Sequence, residues 1–220
     1  VMAGNVFDRQ NNTSFKYKKI SNKQKQSIFA LSVIILSAKL AKSDGVVTKD
    51  EIFVFKEKFK ISPKDMNQVA KIFNEAKKTS YGFEIIAKQI IELFKDNSIV
   101  LEDFLNNLFF IAEADGKISK KELDYLKTVS NIFEISQKDF QRIYELHINS
   151  KISDPYKILG VKRSDSNKDI RNAWIKLIKE HHPDHLVSKG MPEEFIEHAN
   201  KEMSSINYAY DRIKKQRDIN

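Results

Sequence analysis

Apolar residues return every three or four positions along nearly all of this 220-residue chain, and six glycines and four prolines leave few strong breakers. A recurrence near 3.6 collects side chains on one face of a helix, whereas a half-buried strand needs strict alternation, which no segment shows convincingly. The pattern predicts an all-α protein. Helices are expected over about 22–42, 48–59, 63–78, 81–95, 99–114, 119–131, 137–149, 154–159, 167–180 and 192–216. A hydrophobic content of 41% is adequate for packed cores, and the length suits one large or two ordinary domains. Phe53, Phe59, Phe73, Phe94, Phe104, Phe109 and Phe133 are most simply core residues.

The absence of cysteine removes disulfides and thiolate metal sites and fits a reducing compartment. The longest apolar stretch, Ile28 to Ala41, is broken by Ser32, Ser37 and Lys39 and is too short to span a bilayer, so it reads as a buried core helix. Charge is unevenly spread. Of the formal +8, residues 1–25 carry +5 (Arg9, Lys16, Lys18, Lys19, Lys23 and Lys25 against Asp8), residues 151–220 carry +3, and the middle is neutral. That distribution argues against nucleic acid as a partner, which would want a basic stripe on a folded face. A basic, polar segment at 9–25 suits an anionic membrane surface as well as it suits a solvated tail. The sequence opens on Val1 rather than on an initiator Met, as a fragment of a longer chain would.

The sharpest local pattern lies near the end. On a helix over 167–180, Ile170, Ala173, Trp174, Leu177 and Ile178 gather on one flank, while Lys168, Arg171, Lys176 and Lys179 fall on the other. Pro183 cannot continue that helix and pushes His182 toward extended geometry, so the chain turns there. Pro192 suits the first position of a following helix, with Glu193 and Glu194 complementing its dipole. Phe195, Ala199, Met203, Ile206, Tyr210 and Ile213 then form one stripe. The two stripes are expected to zip into an antiparallel pair that presents an imidazole, a pyrrolidine ring and a carboxylate outward at its bend. Histidines 181, 182 and 185 with Asp184 could in principle ligate a metal, but adjacent positions on a short turn rarely converge on one ion. Nothing marks a nucleophile for a catalytic arrangement.

Three ordered pieces, Asp154-Pro155-Tyr156-Lys157-Ile158-Leu159-Gly160-Val161, then Ile170-Arg171-Asn172-Ala173-Trp174 through His182-Pro183-Asp184, and Ile206-Asn207-Tyr208-Ala209-Tyr210, resemble a J-domain over about residues 153–217. The resemblance implies a non-enzymatic co-chaperone that docks on a DnaK-type chaperone and stimulates its ATPase. Its partner-binding residues would be His182, Pro183, Asp184, Lys168, Arg171, Lys176 and Lys179. Two departures matter: Ile175 interrupts the basic face, and His185 replaces the lysine that commonly follows the tripeptide. The run from His185 to Pro192 looks like that of the DjlA-type subgroup, and Ala3 to Arg9 looks like the stretch that follows the membrane helix in such proteins.

Residues 41–51 and 112–122 repeat one pattern, Ala41-x-x-Asp44-Gly45-x-Val47-Thr48-x-x-Glu51 and Ala112-x-x-Asp115-Gly116-x-Ile118-Ser119-x-x-Glu122, at an offset of 71. A second echo pairs Ile61-Ser62-Pro63-Lys64-Asp65-Met66 with Ile135-Ser136-Gln137-Lys138-Asp139-Phe140. Thr48 with Glu51, and Ser119 with Glu122, have capping-box spacing, which explains the repeat without a ligand. The same carboxylates echo the second half of a calcium loop, but counting back puts Leu40 and Ile111 at the first ligand position, which argues against it. The segment resembles the TerB family over about 26–150, an all-helical domain placed ahead of the J-domain in the DjlA type. That resemblance would make Asp44, Glu51, Asp115 and Glu122 metal candidates, and no metal or cofactor is assigned to the chain.

The chain is thus expected to comprise a basic segment over 1–25, a TerB-like helical bundle with an internal repeat over 26–150, and over 151–220 a J-domain built as an antiparallel helical hairpin. A cytoplasmic place follows, at the inner face of the inner membrane if an anchor precedes Val1. Oligomerisation, through that anchor or the N-terminal domain, stays open. The alternative function is a TerB-like metal-sensing or stress-response interaction module.

Overall fold

The computed structural model describes residues 21–43, 66–113, 116–148, 153–192 and 195–218. Within them every regular element is helical. In chain order these are α1 (Asn22–Ala41), α2 (Met66–Ala76), α3 (Phe83–Phe94), α4 (Ser98–Ala112), α5 (Lys120–Ile132), α6 (Gln137–Leu146), α7 (Pro155–Ile158), α8 (Asn167–Glu180), α9 (Pro183–Ser188) and α10 (Ile196–Gln216).

The first core forms around α4, whose residues are buried on nearly every side. A helix buried nearly all round belongs at the centre of a bundle, and α1, α3, α5 and α6 pack around this one. Phe104 stands at its middle, edge-on to Phe29 (centroids 4.9 Å apart) and to Phe133 (5.5 Å). Each fully buried Phe contributes about 1.5–3 kcal/mol relative to an exposed one. Phe73, Phe94 and Phe109 join this core as expected; Phe53 and Phe59, and the helix expected over 48–59, lie outside the described residues. Helix α1 is the buried core helix that its sequence suggests, and Lys39 within it is accommodated by donating to the carbonyls of Thr79 (3.1 Å) and Tyr81 (2.7 Å).

Caps place the helix starts. The Ser119 hydroxyl accepts from the Glu122 amide (3.2 Å) while the Glu122 carboxylate accepts from the Ser119 amide (2.8 Å), so the second copy of the repeat is a capping box. Gly116, at φ 91, supplies the left-handed turn before it. The first copy, Asp44 to Glu51, and Asp115 lie outside the described residues. In the second echo Ser136 caps α6 by accepting from the Asp139 amide.

The second core joins α7, α8 and the later part of α10 through Tyr156, Ile158, Ile170, Ile206, Ala209 and Ile213. Arg217, near the end of α10, donates to Asn167 at the start of α8 (2.8 Å), and Glu202, near the start of α10, lies beside His181 at the end of α8 (3.4 Å). The pair is therefore antiparallel. Trp174 stacks on Tyr210 with centroids 4.5 Å apart and donates to Asn207 (2.8 Å).

Between α8 and α10 the chain departs from expectation. Of the helix predicted from Pro192, the described α-helical part is α10, from Ile196, and a separate short helix, α9, begins at Pro183. Leu186, Met191, Phe195 and Ala199 complete the first core, with Phe195 5.1 Å from Phe29. Gly190 makes the bend at φ 110, a left-handed conformation that favours glycine. Glu193 and Glu194 lie outside the described residues.

Candidate functional site

Helix α8 runs over Asn167–Glu180 as its periodicity predicts, started by Ser166, whose hydroxyl accepts from the Asp169 amide. Lys168, Arg171, Lys176 and Lys179 are all exposed on its outer face, and Ile170 is buried on the inner one. Ile175 is half-buried within the basic face.

At the end of α8 successive side chains point in opposite directions. His181 is buried at 1% exposure; the His182 side chain is 49% exposed; Pro183 is buried; the Asp184 side chain is 94% exposed. The expectation that all three members of the tripeptide face outward is therefore corrected at Pro183. Its ring occupies the first position of α9, where the missing amide costs nothing and the fixed φ starts the helix. His182 is the N-cap, and its Nδ1 accepts from the Asp184 amide at 3.2 Å. In the neutral ring that bond puts the proton on Nε2, away from the helix. The loop therefore offers a donor and, on Asp184, an acceptor.

Behind the loop lies a polar cluster that joins both cores. Arg142 of α6, fully buried, donates to Glu202 of α10 (2.8 Å) and to Glu102 of α4 (2.5 Å), and its Nη2 is 3.3 Å from His181 Nε2. His181 Nδ1 faces Glu202 (3.4 Å) and Asp103 of α4 (3.6 Å). Asn106 donates to the second oxygen of Glu202 (2.9 Å), and His147 Nε2 meets the Asn106 carbonyl at 2.6 Å.

Opposing effects set the charges. Burial disfavours the His181 cation, but Glu202 and Asp103 outweigh it together with Arg142 and hold the imidazole up at about 8. Burial pushes Asp103 up to about 7 against the pull of His181. Burial also disfavours the Glu202 carboxylate, yet His181 and Arg142 bring it down to about 2. Glu102 is raised by burial, with Arg142 and His181 opposing.

Asp103, His181 and Glu202 each bring one ligand-type atom within 4.8 Å of the others, the trio among the described residues that comes nearest to a metal cage. Arg142 stands against two of the three, however, and already supplies the positive charge that the carboxylates need. Of the metal candidates in the repeat, Glu122 has its carboxylate on the Ser119 amide, and Asp44, Glu51 and Asp115 lie outside the described residues.

Sequence patterning did not reveal this cluster. Glu102, Asp103, Asn106 and Asn107 interrupt a mostly apolar helix, which is a signal that buried polar partners must exist elsewhere. Glu202 falls at the register of the α10 stripe, which buries Glu202 and leaves Met203, expected in the core, half-buried.

A family model described as tellurite resistance protein TerB matches residues 30–145, and a DnaJ domain model matches 154–219. Curated relatives named co-chaperone protein DjlA align along nearly the whole chain. The one from Shewanella oneidensis is 25% identical over 98% of this chain and 89% of its own length, and that from Aliivibrio fischeri is 26% identical over 98% and 90%. The Photobacterium profundum relative is 23% identical over 92% and 83%. No solved structure matches significantly. The chain belongs to the TerB family through residues 30–145, and with the J-domain that follows it has the two-domain build of the DjlA-type co-chaperones.

Proposed function

We propose that this co-chaperone docks on a DnaK-type chaperone through His182, Asp184 and the basic face of α8, and stimulates ATP hydrolysis by that partner. The observation that carries the reading is the alternation at the loop: buried His181 and Pro183 fix the backbone, while His182 and Asp184 are exposed at the end of an exposed basic helix. Lys168, Arg171, Lys176 and Lys179 speed encounter with an acidic surface by long-range attraction. Asp184 offers a carboxylate for a charge-assisted bond to a chaperone cation, and His182 offers a ring N–H. Pro183 acts from beneath, restricting the loop. The bond-breaking chemistry belongs to the chaperone. The basic residues between Arg9 and Lys25 suit a position at the anionic cytoplasmic face of a membrane.

Single-turnover ATP hydrolysis by a DnaK-type protein, with and without the chain, tests the reading. Stimulation by the wild type and its loss in His182→Gln with unchanged helicity are expected. A fully active His182→Gln, or a wild type without effect, removes it.

A further inference from the structure

We infer that His181, which precedes the docking tripeptide, is a positioning residue through which the TerB-like domain sets the direction in which His182 and Asp184 face the chaperone. The inference rests on the docking function proposed above and adds a role for the domain that does not itself dock.

The covalent geometry is simple. His181 ends α8, its amide donating to the Leu177 carbonyl at 2.9 Å, and the next residue begins the exposed loop. An imidazole held at this point restricts the backbone from which His182 departs. The groups that hold it come from three helices: Glu102 and Asp103 of α4, Arg142 of α6 and Glu202 of α10. Glu102, Asp103 and Arg142 lie within residues 30–145, so three of the four groups belong to the TerB-like domain. An isolated antiparallel hairpin would lack them. Leu186 and Met191, inserted in the first core on the far side of the loop, fasten its other end to the same domain. The loop is thereby held at both ends by residues outside the hairpin.

The attachment has two forms. Arg142 keeps its charge at all relevant pH. When the His181 ring is neutral, Nη2 of Arg142 donates to Nε2 and the ring proton sits on Nδ1, toward Glu202 and Asp103. A second proton places an N–H on Nε2 against the guanidinium, and the carboxylate on that side is Glu102, 3.8 Å away. Protonation thus exchanges a contact with α6 for one with α4, beside a loop one residue away. A residue that only filled space would show no such dependence.

The test uses the whole chain and the same chaperone assay. With His181→Gln, maximal stimulation should stay near the wild-type level, while the concentration giving half-maximal stimulation should rise roughly five-fold or more, the low end of coupling between linked sites. The ratio of variant to wild-type half-maximal concentrations should change between pH 7 and 9, a comparison that cancels the chaperone's own pH response. A second measurement needs no variant. In an NMR pH titration of the wild type, amides 182 and 184–186 should move with the midpoint of the His181 ring. A folded His181→Gln with wild-type concentration and pH dependence overturns the inference, as do loop amides indifferent to the His181 titration. If the wild type fails to stimulate at all, it is the docking function that falls.

Discussion

Lys176 and Arg142 each carry a positive charge beside a glutamate, and the similarity ends there. The Lys176 ammonium lies 3.9 Å from Glu180 with its side chain 72% exposed. Arg142 lies 2.5 and 2.8 Å from Glu102 and Glu202 with its side chain 2% exposed. In water the first pair gains little, because solvent screens it and ordering two long side chains costs entropy. In the interior the second is strongly coupled, and each member has lost its hydration and depends on the others. One region of the molecule can therefore lose a charge without structural consequence, and the other cannot. The exposed face is suited to meeting a partner, whereas the buried cluster is suited to holding two domains in register.

The comparison is broken most directly at Arg142. Arg142→Ala leaves Glu102 and Glu202 buried without their cation, and removing one partner from a buried pair destabilises by about 3–5 kcal/mol. A denaturant titration should show the midpoint falling accordingly, for both domains together if the cluster joins them. A loss of less than about 1 kcal/mol, the range of exposed pairs, would mean that water reaches the cluster and that the contrast with α8 is false.

A smaller effect follows from proton linkage. His181 is raised to about 8 in the folded state from an ordinary 6.5, so its contribution is complete below pH 6.5 and is lost as pH rises through 8. Asp103, also raised, binds its proton more tightly when folded and adds to the loss on the way up to about 7. Glu202, held low, contributes above its ordinary 4.5 and loses that as pH falls toward 2. The cluster is therefore most stabilising in mildly acidic solution. Between pH 6 and 9 the His181 share is about 2 kcal/mol, taking 1.36 kcal/mol for each pKa unit. Urea unfolding at the two pH values should show the wild type losing that much more than His181→Gln; equal losses would mean that the imidazole is not charged in the fold.

What could be read from the sequence divides along the same line. Helix α8 and the Ser119 to Glu122 cap were legible because their causes are local: apolar spacing fixes the buried face, and a hydroxyl and a carboxylate three residues apart satisfy free amides. The start of α10 is less legible: Pro192 is locally a good first residue, whereas α10 begins at Ile196, after Phe195 has packed 5.1 Å from Phe29. Pro183 was expected outward for a similar reason, since a proline at a bend reads as a surface residue until a second helix starts on it. Arg142 was invisible because its partners are 40 and 60 residues away.

The smallest structural effect belongs to the exposed face, where the consequence is kinetic. Lys176→Glu removes a cation that faces water, so the unfolding midpoint should not move measurably. Association with the chaperone should slow, because the substitution changes the local field by two charges and steering depends on that field. The slowing should be greatest at low ionic strength and fade as salt approaches physiological concentration, where the screening length is about 8 Å. Stopped-flow association across a salt series measures this, and a salt-independent decrease would indicate instead that Lys176 makes a short-range contact in the bound state. The two outcomes separate a residue that guides the partner in from one that holds it, which stability measurements at this position cannot do.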